Sequence, residues 1–457
     1  MTLKTIAADI TNLWRRQPKS PGSASPDTSA ALRSSPDWQP PFAFPAGSTL
    51  LILVMGIGQS NSIGAKGFKP PEALTLNEWP EMLLMPDGPG FMDVRLGLPS
   101  GMERPGAETK LDPDRISGFK PLTSMQSQLV PGLGATPLEG LAHAFAAVVR
   151  EKPALDIKIC VFTSGWGGRL YKGLKKGSIP YDNGLKALQK LKHLADARGW
   201  HTWVPFIPVI HGESDSARPE YLSEYLAWQA DYESDIQAIT KQTSPIPFIA
   251  TQASTFVGSA NIYGVLAPYQ AIATDSQKFH LASPYYPFAM AADNLHLGLQ
   301  ALILGEKIAH SAVRILGLSG PPSPGTIMPT HIAYDGDRTI DIRFHVPAPP
   351  LVQDRTHPAV NNPSPPDWGF RIYDGSCSPV DISSISIIDG HTVRIVTASS
   401  PAPGTSRSVD YALTGYPSKL KMAGQQARGQ LRDSDTATSY ATGQPLPNWC
   451  PHFREFF

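Results

Sequence analysis

The sequence predicts an α/β domain built around a mainly parallel sheet, followed by a small β-sandwich-like domain. Three observations lead to this fold class. Four short apolar runs lie in the first 320 residues, helical periodicity separates them, and short alternating runs replace both after residue 320. Strands that alternate with helices are typical of α/β folds with right-handed crossovers.

The four apolar runs are the predicted strands of the parallel sheet. They cover residues 50–55, 157–162, 203–210 and 246–250. Continuous runs of β-branched and other apolar residues are typical of strands buried on both faces of a sheet. Segments that contain glycine and polar residues follow the first three runs.

Helices are predicted between and after these strands, over residues 138–150, 185–197, 221–239 and 299–313. In each of them apolar residues recur at the three- and four-residue spacing of a helix with one buried face. Residues 1–15 form either a short amphipathic helix or a frayed terminus.

Composition divides the chain into segments. Residues 17–48 are rich in Pro, Ser and Ala, so residues 1–48 are expected to be a disordered or linker tail. The main domain, residues 49–319, contains an insertion at about 67–137 that is too long for an ordinary connection. Because it follows the first strand, this insertion is either a lid or rim at a ligand site or a surface excursion.

The sequence PPSPG after Ser319 marks a boundary, and residues 325–457 are predicted to form a β-rich accessory domain. Its expected strands lie at 331–333, 339–346, 369–373, 382–388 and 392–397. Short alternating runs with turn residues between them are typical of β-sandwiches.

The charge balance excludes several functions. The chain has 39 Lys and Arg against 39 Asp and Glu. A nucleic-acid binder or a polybasic membrane anchor needs a basic excess. No run reaches the length of a transmembrane helix, and no signal peptide is recognised, so the compartment stays open between the cytoplasm and export without an N-terminal signal.

Three cysteines, Cys160, Cys377 and Cys450, form neither a disulfide framework nor a CxxC zinc site. Cys160 lies in an apolar run and is expected to be buried. Whether Cys377 and Cys450 pair stays open.

The first strand ends in Gly56-Ile57-Gly58-Gln59-Ser60-Asn61, which has two interpretations. A GxGxxG dinucleotide site would need a third glycine where Asn61 stands, together with an acidic ribose partner. Alternatively, Ser60 is a nucleophile exposed at the tip of the strand. A serine at such a position alone is more often a helix cap.

The segment Asp293-Asn294-Leu295-His296 favours the nucleophile. Residues three apart share a face in a helix or turn, so Asp293 can orient His296, and His296 can deprotonate a serine. The alternative is that Asp293 caps a helix and His296 is a surface residue. The presence of Ser60 at the end of the first strand makes this alternative less favoured.

Two further segments fit a hydrolytic site. Glycines at 167 and 168 follow the second strand and can bring backbone N–H groups to a reacting oxygen, or they form a plain tight turn. His211-Gly212-Glu213-Ser214-Asp215 follows the third strand. His211 or Ser214 can donate to an oxyanion and Glu213 can support the site, while Glu213 and Asp215 can also cap the next helix.

The blocks GQSN, GG, HGESD and DNLH occur in this order and resemble the four blocks of the SGNH (GDSL-like) hydrolase superfamily. They are most similar to its sialate O-acetylesterase-like branch, in which GQSN replaces the usual GDS. The resemblance covers roughly residues 49–316. It implies a flavodoxin-like three-layer α/β/α fold and ester hydrolysis on acylated carbohydrate.

By position, the resemblance makes Ser60 the nucleophile and Asp293 and His296 its partners. Gly168 matches the glycine whose N–H serves the oxyanion hole, together with that of Ser60. The superfamily's third donor is absent, and His211 stands where the branch has glutamine. His211 is therefore a candidate donor, and Asn61 and Gln59 are alternates.

The expected activity is that of a serine esterase that removes acyl groups from carbohydrate or polysaccharide without a metal or cofactor. Trp166, Arg169 and Tyr171 follow the second block and either line the sugar site or serve only packing. An acyltransferase of the same fold, a carbohydrate-binding surface protein without catalysis, and a lipase of the superfamily are the competing hypotheses.

Overall fold

The computed structural model describes most of the chain after residue 37. The described residues are 38–42, 45, 47–66, 77–89, 94–96, 110–123, 133–151, 155–255, 261–291, 295–298, 300–361, 363–417 and 425–457. The possible helix at residues 1–15 and most of the predicted tail lie outside this set.

A central sheet of eight strands runs through the first part of the described chain. Its strands are β1 Thr49–Gly58, β2 Leu83–Asp87, β3 Gly118–Pro121, β4 Asp156–Gly165, β5 His201–Trp203, β6 Ile207–Ile210, β7 Phe248–Gln252 and β8 Phe279–Pro284. Their order is β3-β2-β4-β1-β6-β7-β8, and β5 pairs with the first half of β1. Only the β2–β3 pair is antiparallel, so the mixed α/β prediction with a mainly parallel sheet is confirmed.

Helices cover both faces of this sheet. They are α1 Pro137–Val149, α2 Ile179–Asp196, α3 Tyr221–Thr240, α4 Tyr263–Thr274 and α5 Gln300–Ile315. Alternate residues of β1 point to opposite faces, so Leu50 and Ile52 pack with α1 and α5, whereas Leu51 and Leu53 pack with α2 and α3. Every one of these four leucine and isoleucine side chains is fully buried.

Most predicted elements occur in the structure, with one correction. The run 203–210 was expected to be a single strand, and this is wrong: it divides into β5 and β6. Pro205 lies in the gap, where it cannot donate to a ladder. Among the unpredicted elements, α4 was missed because it contains Pro268 and β8 because it contains polar residues, while β2 and β3 lie in the predicted insertion.

Part of the insertion at 67–137 extends the sheet. Within it, β2 pairs with β4 and β3 pairs with β2, which adds an antiparallel edge to the sheet. Residues 67–76, 90–93, 97–109 and 124–132 of the insertion lie outside the described set.

Antiparallel strands follow α5. They are β9 Met328–Tyr334, β10 Thr339–His345, β11 Val352–Gln353, β12 Phe370–Tyr373, β13 Pro379–Val380, β14 Ile382–Ile387, β15 Thr392–Thr397, β16 Ser408–Tyr411, β17 Gly415–Pro417, β18 Gln425–Ala427, β19 Leu431–Arg432 and β20 Phe453–Phe456. Two four-stranded sheets, β14-β15-β10-β9 and β13-β12-β16-β20, contribute side chains to the same hydrophobic cluster. All five strands expected after residue 325 overlap observed strands.

The last residues also pack against the α/β region. Arg314 of α5 forms a buried ion pair with Asp435 at 3.0 Å. Lys307 of the same helix donates to the side-chain oxygen of Asn448 at 2.5 Å. The end of the chain is therefore attached to α5 by buried polar contacts.

The structure also bears on the predicted burial of Cys160 and on the predicted lack of a transmembrane helix. Cys160 is fully buried as expected, and its burial raises the pKa of the thiol. Cys377 is exposed and Cys450 is buried, and both are free thiols. None of the five described helices has the length and apolar character that a bilayer-spanning helix needs.

Candidate active site

Ser60 lies just beyond the carboxyl end of β1, which is flanked by β4 on one side and by β5 and β6 on the other. Gly58 has a φ of +138°, and a Cβ atom on it would lie 2.1 Å from the carbonyl oxygen of Ile210. Only glycine permits this close approach of β1 to β6. The chain then enters a short 3-10 helix, Ser60–Ile63, in which Ser60 is 7% exposed.

The loop after β4 runs beside Ser60. The N–H of Trp166 donates to the carbonyl oxygen of Gly58 at 3.0 Å, which attaches this loop to the end of β1. A Cβ on Gly167 would lie 3.8 Å from the Cβ of Ser60. Gly168 is exposed with a φ of +68°. Within the described residues, no acceptor is bonded to the backbone N–H of Gly168 or of Ser60.

The same loop carries an arginine stacked on a tryptophan. The guanidinium carbon of Arg169 lies 3.9 Å from the ring centroid of Trp166, a cation–π contact. Arg169 is exposed, whereas Trp166 is largely buried. Tyr171 differs from both, because its ring packs edge-on against Trp228 in the core and burial raises its pKa.

His211 follows β6, and both of its ring nitrogens are engaged. Nε2 lies 3.0 Å from the carbonyl oxygen of Arg169, which can only accept, so Nε2 carries the proton of this hydrogen bond. Nδ1 lies 2.7 Å from the hydroxyl of Tyr221, whose pKa is raised well above its usual value by burial. His211 therefore holds the Arg169 backbone, and donation to an oxyanion would require this bond to break.

Asp215 supports the same loop from the next turn. Its buried carboxylate accepts the N–H of Tyr171 at 2.8 Å and the guanidinium of Arg218 at 2.6 Å. Hydrogen bonds to Glu224, Glu220 and Asp215 raise the pKa of Arg218. Two residues of one segment, His211 and Asp215, thus hold two peptide groups of the loop that carries Gly168.

Gln59 connects β1 to the segment after β6. Its backbone N–H donates to the carbonyl oxygen of Ile210 at 3.1 Å, and its side-chain oxygen accepts the N–H of Ser214 at 3.2 Å. Gln59 is 3% exposed. These buried contacts give Gln59 a supporting place beneath Ser60.

His296 belongs to a segment that contacts the residue next to Ser60. The side-chain oxygen of Asn61 accepts the N–H of Leu297 at 3.1 Å, and its Nδ2 donates to the carbonyl oxygen of Leu295 at 3.3 Å. The same Nδ2 donates to Glu213 at 3.0 Å. The fold thereby brings the His296 segment, the Ser60 helix and the segment after β6 together.

Two expected contacts of a catalytic triad are not among the observed ones. Asp293 lies outside the described residues, so the Asp293–His296 pair stays a prediction. Across the described side chains, no hydrogen bond to Ser60 Oγ is present. The same part of the chain contains no group of three or more His, Cys, Asp or Glu side chains arranged to hold a metal ion.

Sequence reasoning missed several residues that support the site. Tyr221 and Arg218 lie in or before a predicted helix, and nothing in helical periodicity marks their polar contacts. At the end of β7 a further contact was missed: His452 Nε2 lies 2.7 Å from the hydroxyl of Ser254, and the backbone N–H of His452 donates to the side-chain oxygen of Gln252 at 2.9 Å. Almost 200 residues separate these partners, so no local pattern could have paired them.

Comparison with known proteins finds similarity at the level of structure. No family model matches the chain, and no curated protein does. A carbohydrate acetylesterase from Xanthomonas citri has a TM-score of 0.54 at 14% identity, over 88% of this chain and 80% of that chain. Because residues 49–319 are less than two thirds of the chain, this likeness in fold extends into the β-rich part.

Two smaller structures are less similar. A protein from Arabidopsis thaliana has a TM-score of 0.38 at 17% identity, over 59% of this chain and 98% of that chain. NanS has a TM-score of 0.38 at 11% identity, with the same coverage of 59% and 98%.

Proposed function

We propose that the chain is a serine esterase that removes O-acetyl groups from carbohydrate and has the three-layer α/β/α domain of the SGNH (GDSL-like) hydrolases. One observation carries this proposal. Ser60, the Gly167–Gly168 turn and the segment that contains His296 meet beyond the carboxyl ends of β1 and β4. This is the edge at which parallel α/β sheets bind their ligands. The likeness in fold to a carbohydrate acetylesterase gives the substrate class to test.

In this mechanism Ser60 is the nucleophile and His296 is the general base. His296 takes the hydroxyl proton while Oγ attacks the carbonyl carbon of the ester, and the carbonyl electron pair moves to oxygen. Collapse of this intermediate breaks the bond to the sugar oxygen, which receives the proton from His296. Water then attacks the acetyl-serine in the same way and releases acetate. Asp293 would orient His296 and stabilise its protonated form.

The developing oxyanion needs preorganised donors, and two backbone amides fit this role. The N–H groups of Ser60 and Gly168 have no acceptor within the described residues. Each donor of this kind is worth about 10²–10³ in rate. His211 and Asn61 can serve as a third donor only if their observed hydrogen bonds break.

The lack of an observed Ser60–His296 hydrogen bond is compatible with this mechanism. Catalytic hydrogen bonds are often long or misaligned in free enzymes and tighten when substrate binds. Rotation about a single side-chain bond changes the direction of Ser60 Oγ.

Trp166 and Arg169 suit the substrate side of the site. Aromatic faces pack against sugar rings, and an exposed guanidinium can bind a carboxylate through two parallel hydrogen bonds. Arg169 is exposed beside Gly168. An acetylated sugar that carries a carboxylate, such as a uronate or sialate, is therefore the first substrate to try. Tyr171 is buried, so we assign it to packing beneath this loop.

The test is acetate release from a panel of acetylated glycans by the wild type and by Ser60→Ala. We expect the variant to lose release on every substrate that the wild type cleaves. Ser178→Ala is the matched control, because this hydroxyl is buried with no hydrogen-bond partner in the described residues. Full activity of Ser60→Ala would refute the nucleophile, and transfer of acetyl to an added sugar without free acetate would identify an acyltransferase.

A further inference from the structure

The side chain of Asn61 brackets the backbone of His296. It contacts the peptide groups on both sides of this histidine: it accepts from the N–H of Leu297 at 3.1 Å and donates to the carbonyl oxygen of Leu295 at 3.3 Å. One amide therefore fixes two peptide planes that flank the candidate base. Asn61 is 2% exposed, so water does not compete strongly for these bonds.

Glu213 determines which way the Asn61 amide faces. Nδ2 lies 3.0 Å from Glu213 Oε1, and on the other side the N–H of Leu297 can only donate. The nitrogen must therefore face Glu213, and the oxygen is left to face the N–H of Leu297. A flipped amide would set its oxygen against the carboxylate and its nitrogen against a donor.

These contacts occupy both hydrogens of the Asn61 amide nitrogen. One is donated to Glu213 and the other to Leu295. Neither is available to an oxyanion unless a buried hydrogen bond is given up, and an unpaired buried group is costly. The geometry thus argues against the role that the sequence offered for Asn61, that of an alternate oxyanion donor.

The position of Asn61 gives these bonds a consequence for catalysis. Asn61 follows Ser60 in the same 3-10 helix, so it connects the nucleophile and the base through three covalent bonds of backbone and one side chain. The carbonyl oxygen of His296 accepts a further hydrogen bond from the N–H of Ala291 at 2.6 Å. The Asn61 contacts connect the backbone on both sides of the histidine to the residue next to the nucleophile.

We propose that Asn61 is a positioning residue that sets His296 relative to Ser60, that Glu213 fixes its orientation, and that it is not an oxyanion donor. This rests on the proposed esterase function, because it assumes that His296 is the general base. Displacement of a catalytic group by about 1 Å can cost about 10²-fold in rate.

The test is a double-mutant cycle between Asn61→Ala and His296→Ala, with hydrolysis of p-nitrophenyl acetate as the assay. We expect Asn61→Ala alone to lower kcat about 10²-fold with little change in KM. In the His296→Ala background the same substitution should cost less than about threefold, because there is no base left to position. A loss of about 10²–10³ in both backgrounds would overturn the proposal in favour of an oxyanion donor.

Glu213 provides a graded second test. Glu213→Gln keeps an oxygen that can accept from Asn61, so we expect most activity to remain. Glu213→Ala should lower kcat, and it should add no further loss to Asn61→Ala. Additive losses would contradict the proposed role of Glu213.

A control variant and a spectroscopic measurement distinguish loss of His296 positioning from a general loss of folding and from failure of the proposed esterase function. Asn77→Ala removes a similar amide bridge, to Leu83 and Trp79 at the amino end of β2, and should leave kcat unchanged. The imidazole resonance of His296, assigned with His296→Ala, should shift or broaden in Asn61→Ala. An unshifted resonance would overturn the proposal whether or not the wild type is an esterase. The esterase function itself is tested separately, by acetate release and by labelling of Ser60 with a fluorophosphonate.

Discussion

Replacement of Gly58 by alanine should disable the site while leaving every proposed catalytic side chain in the sequence. A Cβ at this position would lie 2.1 Å from the carbonyl oxygen of Ile210. Non-bonded carbon and oxygen atoms prefer separations of about 3.5 Å, so the end of β1 must move from β6 by roughly 1 Å. The φ of +138° adds strain, because side-chain-bearing residues rarely adopt this conformation.

The magnitude of the effect follows from this displacement. Backbone strain of this kind costs about 1–3 kcal/mol, which lowers the free energy of unfolding. Ser60 follows two residues later, and its N–H and hydroxyl must move with the strand end. A shift of about 1 Å in a reacting group can lower the rate about 10²-fold, so kcat for acetate release from p-nitrophenyl acetate should fall by that factor.

The control and the refuting result are both defined by the structure. Gly177→Ala is matched, because Gly177 also has a positive φ of +83° but nothing lies within 4 Å of its added Cβ. It should lose some stability and keep its kcat. A folded Gly58→Ala protein, verified by circular dichroism, with a kcat within about threefold of the wild type would refute the inference that the Gly58–Ile210 approach places Ser60.

Two further predictions concern the substrate and pH. Arg169→Ala should raise the KM for an acetylated sugar with a carboxylate about tenfold or more and leave the KM for an uncharged ester unchanged. Lys172→Ala, which removes an exposed cation three residues away, should change neither KM. Equal effects of Arg169→Ala on both substrates would contradict a carboxylate contact. Burial lowers the pKa of His452 to about 4 from 6.5, so its contribution to stability is complete above pH 6.5 and is lost as pH falls towards 4. The free energy of unfolding, measured with urea at pH 7 and at pH 5, should fall by about 2 kcal/mol more in the wild type than in His452→Gln. Equal losses in the two proteins would show that His452 does not titrate in this way.

Sequence reasoning succeeded where the cause of the structure is local. The apolar runs became β1, β4 and β7, and the helical periodicity became α1, α2, α3 and α5. Burial on both faces of the sheet demands continuous apolar residues, and a helix with one buried face demands a period near 3.6. Local reasoning failed at Pro205, where one apolar run becomes two strands that pair with different halves of β1.

The candidate site shows the same division. Ser60, Gly168, His211 and His296 each follow a predicted strand or precede a predicted helix, so the sequence places them near one edge of the sheet. The hydrogen-bond partners of these residues were not predictable. From the sequence alone, His211 could be either an oxyanion donor or a buried support. The structure favours support, because its two ring nitrogens lie beside the carbonyl oxygen of Arg169 and the hydroxyl of Tyr221.

The sequence by itself determined the α/β class and the order of the four polar segments, and it supplied the candidates that we propose as nucleophile and base. Tertiary structure alone decided that β1 lies between β4 and β6, that Asn61 bonds on both sides of His296, and that His452 returns to β7. The physical reason is distance along the chain. Periodicity shows which face of an element is buried. A hydrogen bond between residues about 200 positions apart or more depends instead on strand order and on close approaches, such as that of Gly58 to Ile210, which exist only in the packed molecule.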